Sequence, residues 1–227
     1  MKELNLRITF TNEALGMMPQ DADICRTFIA SKAPDAATIE DEIAAIGADA
    51  VAGNKMTVFP RSAEGKPMLW DYQIKGWLKD GIGMLRNQPG TACKNVKNYK
   101  KRVDGLIFVT GSEVEGRGIP ITVRGEMGNC QRPLRNDGPS GSIVALAYSE
   151  TVPKGSSFRM QIQVLNDELV PVIKECLNYG TQRGMCQWRN AGKGTFTWQQ
   201  FDDEGNVIDG NADYKYTPAA FLTEEEA

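Results

Sequence analysis

Ser157-Phe-Arg-Met-Gln-Ile-Gln-Val-Leu-Asn-Asp-Glu-Leu-Val-Pro-Val-Ile-Lys-Glu-Cys-Leu-Asn-Tyr179 changes its hydrophobic period midway. Phe158, Met160, Ile162 and Val164 alternate with polar residues, which places all four on one face of a strand. From Asp167 to Tyr179 the spacing becomes helical, with Leu169, Val172, Ile173, Cys176 and Leu177 on a single stripe. A half-buried strand leads directly into an amphipathic helix, so both bury their apolar sides in one core.

Working outward, the same pattern recurs near the N-terminus. Leu4, Leu6, Ile8 and Phe10 alternate through Lys2–Thr11, the signature of another strand. Asp71–Arg86 reads as a helix, with Trp70, Ile74, Trp77, Leu78, Gly81 and Leu85 on one face. Lys75, Lys79 and Arg86 lie close together beside that face. Gly105–Thr110, Ile119–Gly125, Gly141–Tyr148 and Thr195–Phe201 read as strands, with turns at Pro153-Lys154-Gly155 and Asp203–Asn206. Lys55–Pro60 and Lys66–Trp70 flank Ala63-Glu64-Gly65 and predict a hairpin. Ala22–Ser31 and Thr38–Gly47 read as short helices. Glu126–Ser140, rich in Gly, Pro, Asn and Arg, reads as a loop. With the intervening segments set aside, the order is strand, helix, strand, strand, helix, strand. That is the α+β, ferredoxin-like (split βαβ) order, with both helices on one face of an antiparallel sheet and the other face left open.

Composition bounds the function. The chain has 227 residues, 41% hydrophobic and 24% charged, as in an ordinary globular protein. No apolar run is long enough for a membrane helix, and the N-terminus lacks the apolar core of a signal peptide, so a cytoplasmic protein in a bacterial host cell is the expectation. Five cysteines without a CxxC pair argue against both a zinc site and a disulfide framework. Histidine is absent, which removes His nucleophile pairs, His metal ligands and His general bases. No cofactor is implied.

Charge is segregated although the net charge is only −3. Residues 86–135 hold ten Lys/Arg against four Asp/Glu. Arg86, Lys94, Lys97, Lys100, Lys101 and Arg102 follow one another without an intervening acid. Such a block is either a solvated loop or an electrostatic footprint for nucleic acid. A second candidate surface is Gly180-Thr-Gln-Arg-Gly-Met-Cys-Gln-Trp-Arg-Asn-Ala-Gly-Lys-Gly194, between the second core helix and the last core strand. Its glycines permit close approach of another backbone. Arg183, Arg189 and Lys193 suit phosphate, and Trp188 offers a flat face to a base, as does Tyr99 in the basic block. The alternative is a glycine-rich connection with solvated charges.

Three segments, in order, carry a family resemblance. Pro67–Lys79 contains Lys75-Gly76 opening onto a basic helix. Thr151-Val-Pro-Lys-Gly-Ser-Ser-Phe158 enters a core strand through a Pro-x-Gly-x-x-Phe pattern. Gly180–Gly194 is a glycine-rich loop after the second core helix. In these segments the chain resembles the RAMP superfamily, CRISPR-associated RNA-binding proteins with a ferredoxin-like core. It is most similar there to the backbone subunits that coat the guide RNA. The resemblance spans Pro67–Phe201 and the first strand. It implies one RRM-like domain over residues 1–227, with insertions at 12–55 and 87–140 and an acidic flexible tip at 222–227. Residues 12–55 depart from the family pattern, and Ala14-Leu-Gly-Met-Met-Pro19 resembles phage and prophage proteins.

Three functions remain open at this point. The first is a non-catalytic binder of single-stranded nucleic acid, RNA favoured, using Lys75, Lys79, Arg86, Lys94, Lys97, Lys100, Lys101, Arg102, Arg183, Trp188, Arg189 and Lys193. Its partners would be RNA or single-stranded DNA, copies of itself along the strand, or a CRISPR-type complex. The second is a phage-encoded inhibitor or protein-interaction module acting through acidic segments, Asp35, Glu40, Asp41, Glu42 and Glu224–Glu226. The third is a metal-dependent endoribonuclease, for which Asp21 and Asp23 are the carboxylate candidates.

Overall fold

The computed structural model describes residues 1–20, 56–138 and 141–212. In chain order its strands are β1 (Lys2–Phe10), β2 (Ala14–Leu15), β3 (Met18–Pro19), β4 (Met56–Val58), β5 (Met68–Trp70), β6 (Ile107–Thr110), β7 (Gly118–Thr122), β8 (Gly128–Gly138), β9 (Gly141–Val152), β10 (Ser157–Val164), β11 (Phe196–Phe201) and β12 (Val207–Gly210). The α-helices are α1 (Asp71–Leu85), α2 (Tyr99–Leu106) and α3 (Leu169–Arg183). The molecule is α+β, and its main sheet is antiparallel throughout.

β1 is central because its alternation is complete. Leu4, Leu6, Ile8 and Phe10 are all buried, and each such side chain contributes about 1.5–3 kcal/mol when withdrawn from water. β1 pairs with β10 on one side, Leu4 opposite Ile162 and Ile8 opposite Phe158. It pairs with β11 on the other, Ile8 opposite Trp198. β10 continues to β6 and β7, β7 to β5, and β11 to β12. The four strands β11-β1-β10-β6 are the middle of the sheet, and along the chain they alternate with α1 and α3 as β1, α1, β6, β10, α3, β11.

Both long helices lie on the apolar face. α1 buries Ile74, Trp77, Leu78 and Ile82; α3 buries Leu169, Val172, Ile173, Cys176 and Leu177. At the start of α1 the Gln73 side chain accepts from the Trp70 N–H at 2.9 Å, and Asp71 complements the helix dipole. α1 and α3 approach closely at Gly81, where a Cβ would stand 3.1 Å from Cys176 Sγ. The opposite face of the sheet is polar, with Arg7 directly across from Arg159 and Asn5 across from Gln161.

A second sheet joins β2, β9, β4 and β3, with β8 on β9. β8 and β9 form a long antiparallel hairpin from Gly128 opposite Thr151 to Gly138 opposite Gly141. β4 runs parallel to β9. Glu150 ties this sheet to the chain at residues 59–61, accepting from the Phe59 N–H at 3.0 Å and pairing with Arg61.

The structure corrects four expectations. Residues 128–138 are a strand rather than a loop; Pro133 is accommodated because, among the described residues, β8 pairs with β9 alone and needs no second ladder. The basic block does not stay irregular, since Tyr99–Leu106 is helical and buries Val103. The hairpin expected around residues 63–65 reduces to one bridge, Arg61 to Pro67, because β4 joins the second sheet and β5 the first. The second core helix runs on to Arg183, so the glycine-rich loop begins at Gly184. The expected helices at 22–31 and 38–47, Asp21, Asp23, the acidic residues 35–42 and the tip at 222–227 lie outside the described residues.

Candidate nucleic-acid interface

The glycines of the loop serve the loop itself. Gly184 ends α3 with φ +71°, and a Cβ there would fall 2.4 Å from the Lys193 carbonyl oxygen. Gly194 has φ +69°, and its Cβ would meet the Met185 carbonyl oxygen at 2.0 Å. Residues 184–185 and 193–194 are therefore the two arms of one narrow loop, closed by the Met185 N–H donating to the Gly194 carbonyl at 2.9 Å. The close approach that glycine permits is intramolecular.

That closure projects residues 186–192. Trp188 is held in the left-handed region, φ +55°, and stays 38% exposed. Arg189 donates to Asp80 of α1 at 2.6 Å. Arg183 donates to Asn190 at 2.7 Å and lies 3.7 Å from the same Asp80 carboxylate. Lys193 pairs with Glu13, and its ammonium is 6.0 Å from the centre of the Trp188 ring. Partly exposed pairs like these contribute about 0–1 kcal/mol each, so they orient the cations more than they bind them. Cys186 is a partly buried residue of the loop; desolvation pushes its thiol up to about 12, against the opposing charge of Arg189.

Lys75 and Lys79, predicted on the flank of α1, share a cavity of about 400 Å³ with Gly76, Asp80 and Arg189. Lys75 stands over the Phe108 ring at 5.1 Å, and Lys79 pairs with Asp104 of α2. Gly76 is exposed, and a Cβ built on it would meet nothing within 4 Å. A glycine inside a helix costs about 1 kcal/mol relative to alanine, and no packing in the described protein requires this one.

The remaining predicted cations form a separate group. Arg86 caps α1 and lies 5.5 Å from the Tyr99 ring. Lys94 sits in a 3-10 turn, and Lys94, Lys97, Lys100 and Lys101 are exposed. Arg102 reaches Glu168 at 3.5 Å. None of these lines the α1 cavity. The structure thus gathers Lys75, Lys79, Arg183, Trp188, Arg189 and Lys193 into one surface and leaves the α2 block as another.

Sequence reasoning missed Arg132. It stands on β8, donates to Gln187 at 2.7 Å and places its guanidinium 5.4 Å from the Trp188 ring. The available signal was indirect: the strand read at 141–148 needs an antiparallel neighbour, and the segment just before it is the nearest. Among the described residues no group of three or more His, Cys, Asp or Glu could hold a metal ion, and no helix is long and apolar enough to cross a membrane.

No family model matches this sequence, and no curated protein matches it. Solved structures are similar to it. A chain in the cryo-EM structure of the type III-B Cmr-beta complex bound to cognate target RNA shares 12% identity at a TM-score of 0.49, over 92% of this chain and 60% of that one. A chain of a type IV-B CRISPR complex shares 10% identity at a TM-score of 0.41, over 94% of this chain and 97% of that one. The present chain thus spans 60% of the length of the Cmr-beta chain.

Proposed function

We propose that this protein binds single-stranded nucleic acid, RNA favoured, without cleaving it, and that it does so on a ferredoxin-like core of the RAMP type. One observation carries the reading: Lys75, Lys79 and Arg189 converge on the open cavity over Gly76, and Trp188, next to Arg189 in the chain, stays exposed. Phosphates would meet the cations, the backbone of the strand would pass over the bare helix at Gly76, and a base would stack on Trp188. The strand order β11-β1-β10-β6 with both long helices on one face supports the ferredoxin-like assignment. The surface is a cleft with exposed aromatic rings at Phe108 and Trp188 rather than a projecting helix, which suits unpaired bases better than a duplex groove.

Filter binding of labelled single-stranded RNA, single-stranded DNA and duplex at two salt concentrations tests this. Single strands bind more tightly than duplex, with affinity falling as salt rises. Equal or tighter duplex binding, or salt-independent binding, overturns the reading. The same samples, incubated with magnesium or manganese, remain intact; defined cleavage abolished by Asp21→Ala or Asp23→Ala would make the protein a nuclease. Copies binding successively along one strand, or within a CRISPR-type complex, extend the proposal, and sedimentation with strands of increasing length measures the first.

A further inference from the structure

Arg132 is 8% exposed, yet among the described residues only one nitrogen of its guanidinium is satisfied, by Gln187. Nε and Nη1 are buried without a hydrogen-bond acceptor. No carboxylate pairs with Arg132 among the described residues. A buried cation without a counterion is among the costliest arrangements in a folded protein, and buried donors are otherwise almost always paired. The charge sits against Trp188, whose ring also has Lys193 nearby and which stays 38% exposed. Trp188 itself is held at a positive φ, +55°, which disfavours any residue that carries a Cβ. An orphaned cation and an exposed aromatic at positive φ, brought together where β8 meets the loop, call for an anion joined to a flat ring.

We propose that Arg132 and Trp188 form a nucleotide subsite, in which the free Nε–H and Nη1–H of Arg132 take a phosphate oxygen and the open face of Trp188 takes the adjoining base. This rests on the nucleic-acid reading above and adds to it a residue of the β8–β9 hairpin. Arg132 does two things there. Its unpaired charge takes one phosphate as counterion, and by packing on the indole it sets the plane on which the base stacks. Lys193 is held back by Glu13 and tunes the same ring.

The test uses the full chain and a short oligouridylate. Trp70, Trp77 and Trp198 are 0%, 6% and 2% exposed, so quenching of tryptophan emission by the oligonucleotide reports Trp188. Arg132→Met should weaken binding about 10-fold or more and reduce the slope of log affinity against log salt by about 0.7, one phosphate contact on a single strand. Its melting temperature without ligand should equal or exceed that of the wild type, because an unpaired buried charge has been removed. A purely structural arginine would instead lower it. Arg132→Lys should keep the salt slope and lose most of the quenching. Trp188→Ala should lose the quenching and affinity while keeping the slope. Wild-type affinity and slope in folded Arg132→Met, or a large loss of stability in both Arg132 variants, overturns the subsite while leaving the broader binding reading standing. Failure of the wild type to bind overturns both.

Discussion

The Trp77 indole donates from Nε1 to the carbonyl of Gly184 at 3.0 Å in the interior of the protein. This bond joins the middle of α1 to the first residue of the glycine-rich loop, so the lysines of one and the arginines of the other are held at a set separation. The Trp77 ring also meets Phe196 edge-on, 5.5 Å between centroids, which brings β11 into the same junction.

Trp77→Phe keeps a ring in the core and removes the donor. The Gly184 carbonyl is then buried without its partner, at a cost of about 1–3 kcal/mol. Urea denaturation should show that loss, and hydrogen exchange should show amides 184–195 opening more readily than those of β1. Wild-type stability in Trp77→Phe would mean that the loop is anchored elsewhere.

Gly180 is buried in the last turn of α3, where an added Cβ would lie 2.1 Å from Phe196 Cζ. Gly180→Ala therefore overpacks the junction and should destabilise the fold by about 1–3 kcal/mol, despite alanine's better helix propensity. Combining it with Phe196→Leu should recover part of that loss in a double-mutant cycle. Additive losses would show that the ring yields without cost.

Asp80 holds Arg189 at 2.6 Å and lies 3.7 Å from Arg183. A phosphate must compete with this carboxylate for both guanidinium groups. Asp80→Asn should tighten single-strand binding and steepen its salt dependence. Replacing Arg183, Arg189 and Lys193 together by alanine should weaken binding by a few kcal/mol, less than the sum of three charge-assisted bonds of about 1.5–3 kcal/mol each. Filter binding at two salt concentrations checks both; unchanged affinity in the folded triple variant would place the interface on the α2 block.

Burial raises the Cys186 thiol to about 12, whereas an unfolded cysteine loses its proton near pH 8.5. Between these values the native state binds more protons than the unfolded state, so stability falls as pH rises through that window. The contribution approaches about 1.4 kcal/mol per pH unit once the unfolded thiol is ionised. Cys186→Ala should show a shallower decline in unfolding free energy from pH 8 to pH 10. Peptide-resolved iodoacetamide labelling at pH 8 should modify Cys186 only after denaturant is added. Rapid labelling of the folded protein would show that the thiol is accessible.

The main elements were legible wherever one face is buried and the opposite one is wet. β1, β10, α1 and α3 have strict periods because each contributes a single row to one core. β8 was not legible: an edge strand tolerates Pro133 and Gly128, so its composition is that of a loop. α2 was hidden because it buries only Val103 fully and otherwise carries charge. For the site, the residue types of the loop and the basic flank of α1 could be named in advance. Their carboxylate partners could not, because Asp80 and Arg189 are 109 residues apart and Glu13 and Lys193 are 180 apart.

By itself the sequence determined which segments have an apolar face, the order strand, helix, strand, strand, helix, strand, and the concentration of basic and aromatic residues in two regions. Periodicity and composition are local properties, and local sterics and solvation suffice to read them. Only the tertiary structure decided that the loop glycines serve the loop's own closure, that Lys75 and Lys79 share a cavity with Arg189 while the α2 lysines do not, and that Arg132 reaches Trp188 from another sheet. Those relationships depend on distances between residues remote in the chain, which are set by how the helices and the hairpin pack on their sheets.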